Sequence, residues 1–431
     1  MSQVIDTSAT RRPDSTHRVV ITGMGAVTPA GVGVDALWGA VMGKRCCIDT
    51  ISHFDHEAFD VHMAGEVRDF DPTEHGLSKK EARRFERFVQ YAIVAADEAM
   101  SQSGIDMGQE DPTRAAVIFG AGIGGIDELQ NGFYTLHDKG PKRVSPLFVP
   151  TMIGNIAAGH LAIRYGMRGE CIDVTTACAT GAHNIGAAVR SIRHGYCDLA
   201  LAGGSEESVN PICIAGFTNL GALTHAEDPQ AASMPFDVRR SGFVAGEGGA
   251  VLVLESLEHA LARGAKPIAE ITGFGSTGDA YHMTAPNPTG EGIQRAMQQA
   301  LDEGGFTVAD LGHVNAHGTS THANDATEAA ALIALAGDEL GRKIPITSVK
   351  GSLGHTLGAA GAVEAVVTAL SVANQCVPPT AGFAQPDPEC PVSVVSEPLQ
   401  NYLQKVALSN SLGFGGHNAV LAVSPYGESI D

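Results

Sequence analysis

Two segments of the chain are built almost entirely from small residues. They read ACATGAHNIGAAVRSI (177–192) and GHTLGAAGAVEAVVTAL (354–370), and each has few polar positions. A helix that is apolar on all sides and made of small residues is usually buried, often between two sheets. One such helix in each half of the chain predicts a duplicated βα unit.

The rest of the sequence alternates strand and helix patterns, which is typical of a layered α/β fold. With 431 residues, of which 44% are apolar, the chain is too long for one ordinary core. We predict a disordered polar tail over 1–16, an N-terminal half over 17–266 and a C-terminal half over 267–431.

The longest amphipathic helix is predicted over 78–103, with Ser78 as its N-cap, Glu81 three residues later and Gly104 at its end. Other helices are predicted at 34–43, 177–195, 258–263, 291–303 and 325–336, and in the small-residue stretch 350–375. Short apolar runs predict strands within 18–32 and at 115–120, 170–176, 198–203, 249–255, 267–273, 313–316, 344–348, 406–411 and 418–424.

Charge and composition exclude several classes of protein. The formal net charge of −20 makes the chain a poor general binder of nucleic acid or of anionic membranes. No apolar run reaches the roughly 18 residues that a membrane span needs. The eight cysteines form no C-x-x-C pair, and the polar first sixteen residues lack the apolar core of a secretory signal. We therefore expect free thiols and a cytoplasmic location.

Cys178 follows a predicted strand and begins the first small-residue helix. Unpaired N–H groups and the dipole at a helix N-terminus favour an anion, which predicts a lowered thiol pKa and a nucleophilic thiolate. The same N–H groups can hold a developing oxyanion. The alternative is a buried structural cysteine, an interpretation that suits Cys171 and Cys213.

Two histidines also follow predicted strands, where open α/β folds collect their ligands. His317 lies in VNAHGTST, and His355 lies in KGSLGH at the start of the second small-residue helix. Lys350 enters a Gly/Ala environment that is costly for a charge unless it is paired, and Glu364 is its predicted partner. The alternatives are a loop histidine bonded to backbone and a lysine whose stem lies along the surface.

Two glycine-rich loops stand out. SNSLGFGGHN (409–418) places Phe414 between two glycines, which favours a gate over an ordinary hairpin turn. GAGIGG (120–125) matches G-x-G-x-x-G after a strand. It does not belong to the first βαβ unit of the chain, and no acid ends a strand about 20 residues later. We interpret it as a tight turn and not as a dinucleotide site.

Basic residues are concentrated on the predicted 78–103 helix and in a later Pro-rich segment. They are Lys79, Lys80, Arg83, Arg84 and Arg87, followed by Lys142 and Arg143. In a chain this acidic, such a set can form a local binding surface for an acidic protein. A solvated helix face is the alternative.

Four motifs occur in order along the chain. They are TTACATG (175–181), VNAHGTST (314–321), KGSLGHTLGAAGAVEA (350–365) and NSLGFGGHN (410–418). Together they resemble the β-ketoacyl-acyl carrier protein synthases, most closely the type II bacterial condensing enzymes. The resemblance implies a thiolase fold: an α/β protein with duplicated βαβαβαββ halves in a five-layer αβαβα sandwich, usually a homodimer.

The resemblance also implies roles for individual residues. Cys178 matches the nucleophile, His317 and His355 the catalytic histidines, Lys350 the catalytic lysine and Phe414 the gate. Matches to substrate contacts are Ile123 and Phe217 in the acyl pocket, Thr319 and Thr321 beside phosphopantetheine, and Thr284. Lys80, Arg83, Arg84, Lys142 and Arg143 match the carrier-docking surface, and Asn315, Glu364, Ser409 and Asn410 match positions near a structural Na⁺ or K⁺.

The implied reaction is a decarboxylative condensation of an acyl-enzyme with malonyl-acyl carrier protein in fatty acid elongation, with no cofactor except the carrier's phosphopantetheine. The family usually reads K-S-M-T-G-H where this chain reads KGSLGH. That departure leaves open a specialised condensing enzyme of polyketide or aryl polyene synthesis. Three further alternatives are a degradative thiolase, against which the second histidine His355 argues, and a chain-length partner without chemistry, against which Cys178 argues. The third is a nucleotide-binding enzyme built on GAGIGG, which a binding titration would test.

Overall fold

The computed structural model describes residues 17–427, so the tail predicted over 1–16 lies outside the described residues. The strands are β1 (Val19–Thr28), β2 (Gly31–Val32), β3 (Asp49–Thr50), β4 (Met63–Ala64), β5 (Ala115–Gly120), β6 (Cys171–Ile172), β7 (Leu199–Glu206), β8 (Gly248–Ser256), β9 (Ala269–Gly278), β10 (Leu311–Asn315), β11 (Pro345–Thr347), β12 (Ser393–Val394), β13 (Val406–Gly413) and β14 (His417–Pro425). The helices are α1 (Val34–Met42), α2 (Lys79–Ala82), α3 (Arg87–Ser103), α4 (Ile126–Lys139), α5 (Phe148–Met152), α6 (Ile156–Tyr165), α7 (Thr180–Arg193), α8 (Pro211–Asn219), α9 (Leu257–Ala262), α10 (Glu291–Gly304), α11 (His322–Ala336), α12 (Asp338–Gly341), α13 (Lys350–Leu353) and α14 (Ala360–Ala373).

The two halves build sheets of the same topology. The order across the N-terminal sheet is β6-β5-β7-β8-β1, and across the C-terminal sheet it is β11-β10-β13-β14-β9, with the short β12 added at the edge. In both sheets the first three strands of this order pair in parallel, and the last two pair antiparallel. The sheets join where β1 pairs with β9 at Ile21 and Ala269. The boundary predicted between 266 and 267 falls just before β9, where the second set of strands begins.

The two small-residue helices occupy equivalent places in the halves. A 3₁₀ turn at Ala177–Ala179 leads into α7, and a second at Leu357–Ala359 leads into α14. The first residue of each turn has a positive φ, 51° at Ala177 and 45° at Leu357. The sequence prediction of a duplicated βα unit is therefore confirmed down to the backbone conformation of this turn.

Helices α7 and α14 approach each other closely at their N-terminal ends. A Cβ on Gly181 would lie 2.7 Å from the backbone N of Ala362, and a Cβ on Gly361 would lie 2.6 Å from the backbone N of Ala182. No side chain fits at such distances. The small residues that first marked these segments are thus what lets the two backbones pack against each other.

Three apolar cores define the layers. The central core joins both sheets to α7 and α14, with Ile185 and Val366 among its members. A second core packs α3 and α6 on the outer face of the N-terminal sheet, and a third packs α10 and α11 on the C-terminal sheet. Helix, sheet, helix, sheet and helix layers follow one another, which confirms the five-layer α/β fold class.

Several predicted elements have different bounds in the structure. The helix predicted over 78–103 is divided into α2 and α3, because Glu86 is extended (φ −62°, ψ 157°) and the Glu207 carboxylate caps the new start at the Phe88 N–H. The capping box of Ser78 with Glu81 and the end at Gly104 are present. Strand β6 keeps only two of the seven residues predicted over 170–176. Helices α4, α6 and α8 are additional to the helices predicted from the sequence.

Within residues 17–427, no helix combines the length and the apolar character needed to cross a bilayer.

The contact between α7 and α14 predicts the effect of single methyl groups. Gly361→Ala should lower the free energy of unfolding by about 1–3 kcal/mol, because the added Cβ meets backbone of the facing helix. The matched control is Gly39→Ala in α1, where a Cβ meets nothing within 4 Å and a better helix former should stabilise by up to about 1 kcal/mol. Thermal unfolding of both variants measures the difference; a Gly361→Ala protein as stable as the unaltered chain would contradict the close packing.

Candidate active site

A cavity of about 380 Å³ lies at the junction of the two halves. It is lined from the N-terminal half by the turn at the start of α7 and from the C-terminal half by the segments that follow β10, β11 and β13. The sequence-predicted residues that line it are Cys178, His317, His355, Phe414, Ile123, Phe217, Thr284, Thr319 and Thr321. The structure therefore brings together side chains that are up to 291 positions apart in the chain, from Ile123 to Phe414.

Cys178 lies in the 3₁₀ turn before α7 and is buried. Burial raises the pKa of its thiol to about 12, although the charge of Lys350 and hydrogen bonds from the backbone N–H groups of Phe414 and of Cys178 itself act to lower it. The lowered pKa predicted from the helix N-terminus is therefore wrong, because desolvation outweighs the local N–H groups. The resting group is a protonated thiol with two N–H donors beside it.

His317 and His355 lie edge to face, with ring centroids 5.1 Å apart and an interplanar angle of 85°. Burial lowers the pKa of each well below its ordinary value, and the charge of Lys350 lowers both further. Phe243 packs against the His355 ring with centroids 5.4 Å apart. Both imidazoles are therefore neutral at physiological pH.

Hydrogen bonds fix which nitrogen of each imidazole carries the proton. Nδ1 of His317 lies 3.4 Å from Nζ of Lys350, and Nδ1 of His355 lies 3.3 Å from the backbone N of Leu357. Both neighbours are donors, so each Nδ1 accepts and each proton resides on Nε2. The pair thus offers two neutral N–H donors to the cavity.

Lys350 is buried between the catalytic segments. Its Nζ forms an ion pair with the Glu364 carboxylate, which is the partner predicted from the sequence, and donates to the His317 carbonyl at 2.6 Å. A buried ammonium is stable only with such partners. Lys350 therefore acts on both the position and the charge state of His317.

Glu328, in α11, is a site residue that the sequence analysis missed. Its carboxylate accepts from the backbone N–H of His317 at 2.9 Å and of Gly318 at 2.6 Å, and from the Asn324 and Asn410 amides. It fixes the loop that carries His317. The sequence holds only a weak signal for it, a glutamate in the helix after the HGTST loop.

Phe414 occupies the three-residue turn of the β13–β14 hairpin. A Cβ on Gly413 would lie 2.5 Å from the Thr176 carbonyl oxygen. The hairpin turn can therefore pack against the loop that carries Cys178 only because the residue before Phe414 is glycine. Gly415 has a φ of 92° and donates to the Met283 carbonyl at 2.7 Å. The Phe414 ring lies 6.5 Å from that of Phe217, across the cavity wall.

The predicted cation residues are buried beside the Lys350–Glu364 ion pair, to which Glu364 itself belongs. Asn315 Oδ1, Glu364 Oε2 and Asn410 Oδ1 are buried and have no hydrogen-bond partner in the described structure. Ser409 pairs with Asn315 across β13 and β10. Unpaired buried oxygens are costly, and hard cations take oxygen ligands, so this group fits an alkali cation.

The predicted docking residues lie at the surface. Lys80, Arg83, Arg84, Lys142 and Arg143 lie in surface segments, as does Lys79. Arg87 differs, because it turns inward to the Tyr91 hydroxyl at 2.8 Å and to Glu247. Cys171, expected to be a buried structural cysteine, is exposed because β6 is an edge strand, whereas Cys213 is buried.

Comparisons with known proteins agree with this geometry. Family models described as the N-terminal and C-terminal domains of β-ketoacyl synthase match residues 16–260 and 268–384. A 3-oxoacyl-[acyl-carrier-protein] synthase 2 of Vibrio harveyi is 44% identical over 96% of this chain and 100% of that protein. The protein of the same name from Staphylococcus aureus (strain COL) is 45% identical over 95% of this chain and 98% of its own length.

Solved structures give the same result. A β-ketoacyl synthase from Burkholderia phymatum STM815 superposes with a TM-score of 0.88 at 33% identity, covering 95% of this chain and 100% of that one. A chain of the solved complex described as a type II PKS acyl-carrier protein with its ketosynthase bound to the hexaketide matches with a TM-score of 0.88 at 31% identity. The match covers 95% of this chain and 100% of that one.

The contacts of Lys350 predict how His317 titrates. In Lys350→Met the nearby positive charge and the donor to Nδ1 are both lost, so the pKa of His317 should rise and its tautomer should no longer be fixed. Histidine-selective NMR would show the higher titration midpoint. Lys343→Met, at an exposed ion pair with Glu339, is the control. An unchanged His317 midpoint would contradict the role assigned to Lys350.

Proposed function

Since the chain belongs to the β-ketoacyl synthase family, we propose that it is a 3-oxoacyl-[acyl carrier protein] synthase of fatty acid elongation. It joins an acyl group held on Cys178 to malonyl-acyl carrier protein by a decarboxylative Claisen condensation. The observation that carries the proposal is one cavity in which a buried thiol with two backbone N–H donors meets two neutral Nε2–H imidazoles. Identities of 44–45% to the two synthases over nearly full length support the same reaction.

The first half-reaction is a thiol–thioester exchange. The Cys178 sulfur attacks the acyl carbonyl, and the N–H groups of Cys178 and Phe414 stabilise the tetrahedral oxyanion. The bond to the carrier sulfur then breaks, and the proton of the Cys178 thiol passes to that leaving sulfur. Because one thiol replaces another, no proton is gained or lost overall, and a resting pKa of about 12 at Cys178 is compatible with turnover.

The second half-reaction forms the carbon–carbon bond. The Nε2–H groups of His317 and His355 donate to the malonyl thioester oxygen as the carboxylate leaves as CO₂ and its bonding electrons form an enolate. The enolate carbon attacks the acyl carbonyl on Cys178, the carbon–sulfur bond breaks, and the Cys178 sulfur leaves as a thiolate. That thiolate takes a proton from solvent, so the condensation consumes one proton overall. The product is a 3-oxoacyl chain two carbons longer.

The acyl carrier protein is the proposed partner, and its phosphopantetheine is the arm that reaches the cavity. Thr319 and Thr321 are suited to contact that arm: their hydroxyls are 2.9 Å apart and both line the cavity. Ile123 and Phe217 are the proposed walls of the acyl pocket. Exposed basic residues offer a docking surface, and a related ketosynthase has been solved with its carrier.

A specialised polyketide or aryl polyene pathway is the second candidate. It is favoured by one local feature: a Cβ on Gly351, where the family usually has serine, would lie 2.1 Å from the Ala381 carbonyl. The backbone at Ala381 therefore packs closer to position 351 than a serine there would allow. To discriminate the two pathways, the protein is incubated with malonyl-acyl carrier protein and with acyl carrier proteins that bear acyl chains of different lengths. The masses of the products show which chains are extended.

We propose that two copies associate through the edge strand β6. Helix α6 packs against this strand, α5 against α6 and α4 against α5. This region carries exposed large apolar side chains, namely Phe133, Tyr134, Leu136, Leu147, Val149, Ile163 and Ile172. An uncovered edge strand with apolar neighbours favours pairing with another chain, and a second copy about a twofold axis covers both edges at once.

Na⁺ or K⁺ is proposed at Asn315, Glu364, Ser409 and Asn410, where it would satisfy the unpaired oxygens beside the Lys350–Glu364 pair.

We also propose a reducing, cytoplasmic location, which the eight free cysteines of the structure support.

Cys178→Ala should abolish the covalent acyl adduct that forms with acyl carrier alone, because the attacking sulfur is gone. Intact-protein mass spectrometry after incubation with acyl carrier measures the adduct. Cys213→Ala, a buried cysteine in α8, is the matched control and should acylate normally. An adduct that survives in Cys178→Ala would refute the assignment of the nucleophile and with it the proposed mechanism.

Charge reversal at Arg83 and Arg84 should raise the KM for carrier-linked substrates by roughly tenfold at low salt, with little change in kcat. The effect should shrink as ionic strength rises, because exposed charges are screened. Arg342→Glu, at an exposed arginine of the C-terminal half, is the control. If the charge-reversal variant and the unaltered protein have equal KM values at low salt, Arg83 and Arg84 do not dock the carrier and form only a solvated helix face.

A further inference from the structure

Four backbone N–H groups converge on one buried carboxylate, that of Glu206 at the end of β7. They belong to Gly122 (2.9 Å), Ile123 (3.2 Å) and Gly124 (3.2 Å) of the GAGIGG loop, and to Gly358 (3.1 Å). Successive N–H groups in such a loop form an anion-binding concavity. Here the anion belongs to the protein itself, which explains the G-x-G-x-x-G pattern without a nucleotide.

The carboxylate joins the two halves of the molecule. Glu206 and the loop lie in the N-terminal half, whereas Gly358 lies in the 3₁₀ turn before α14, at the position equivalent to Cys178. A Cβ on Gly358 would lie 2.3 Å from the Gly122 nitrogen and 2.6 Å from a Glu206 oxygen. Glycine at position 358 is thus required for the carboxylate to bind both elements.

This cluster forms part of the cavity wall. Gly122, Ile123 and Glu206 line the cavity beside Cys178. Ile123, whose side chain is the proposed wall of the acyl pocket, is held at its own N–H by Glu206. The negative charge of Glu206 also interacts electrostatically with Cys178 and acts to raise the pKa of its thiol.

An amide cannot replace this carboxylate. Two carboxylate oxygens accept all four bonds, whereas a glutamine has one accepting oxygen and would turn its NH₂ group toward backbone N–H donors. Burial raises the pKa of Glu206 to about 7, while the four N–H groups act to lower it. Loss of the carboxylate should therefore release the loop from Gly358.

We propose that Glu206 is a positioning residue that sets the acyl pocket, by holding Ile123 and the 122–124 loop against Gly358 of the other half. This inference rests on the proposed function, because it assigns a determinant of acyl-chain selectivity in that reaction. Glu206 acts through the loop and not on the reacting atoms.

Glu206→Gln tests the proposal. The favoured acyl length should lose at least tenfold in kcat/KM, while the lengths that the unaltered enzyme uses poorly should change less than threefold, so the selectivity profile flattens. At one fixed alkaline pH, iodoacetamide should also alkylate Cys178 faster than in the unaltered protein, as followed by peptide mass spectrometry, because a negative charge that disfavours the thiolate is removed. Lys350 is the other charge that acts on the thiol, and it is unchanged in this variant.

Glu98→Gln is the matched control. Glu98 likewise accepts backbone N–H groups, from Ala26 at 3.0 Å and Val34 at 2.8 Å, but it lies outside the cavity. Glu98→Gln should lower thermal stability while leaving the length profile and the alkylation rate of Cys178 unchanged. A merely structural role for Glu206 would make the two variants behave alike, and that outcome would overturn the proposal.

If Glu206→Gln does not fold, hydrogen exchange on the unaltered protein decides the matter. The amides of Gly122, Ile123 and Gly124 should then be as protected as those of strand β5; exchange at the rate of a free loop would overturn the proposal.

Hydrogen exchange and alkylation of Cys178 can be measured without the condensation reaction. They therefore test Glu206 separately from the proposed reaction, which fails only if no product forms from acyl and malonyl carriers.

Discussion

The close packing of two helices at the centre of the molecule determines the rest of the structure. Because Gly181 and Gly361 let α7 and α14 meet backbone to backbone, the turns that begin those helices are brought side by side. One turn carries Cys178 and the other carries Gly358. Larger residues at Gly181 or Gly361 would push α7 and α14 apart and would separate the two turns that line the cavity. The geometry of the site therefore requires glycine at these two positions.

The second constraint is the burial of charge around that junction. Lys350, Glu364, Glu328 and Glu206 are all buried, and each is held by a specific partner: an ion pair, a backbone carbonyl or several backbone N–H groups. Burial at this depth keeps the imidazoles neutral and the thiol protonated. The chemistry is therefore set by desolvation first and by individual charges second.

The sequence alone was sufficient for the duplicated α/β architecture, since the small-residue helices and the regular strand spacing are local signals. Strand ends and the four motifs also pointed to Cys178, His317 and His355, which the fold places around one cavity, and to Lys350, which lies buried beside His317. What the sequence could not supply depends on contacts between distant segments. The break at Glu86 requires Glu207 as a cap, and the functions of Glu328 and Glu206 require loops that are near only after folding. The pKa of Cys178 was misjudged because a helix N-terminus is visible in sequence and the depth of burial is not.

A protonated resting thiol has a consequence for survival of the enzyme between turnovers. Peroxides and other oxidants react with the thiolate far faster than with the thiol, and the first product, a sulfenic acid, leads on to irreversible acids. A nucleophile whose pKa stands near 12 exposes almost no thiolate at neutral pH. The burial that keeps the Cys178 thiol protonated thus also slows oxidative inactivation of the idle enzyme.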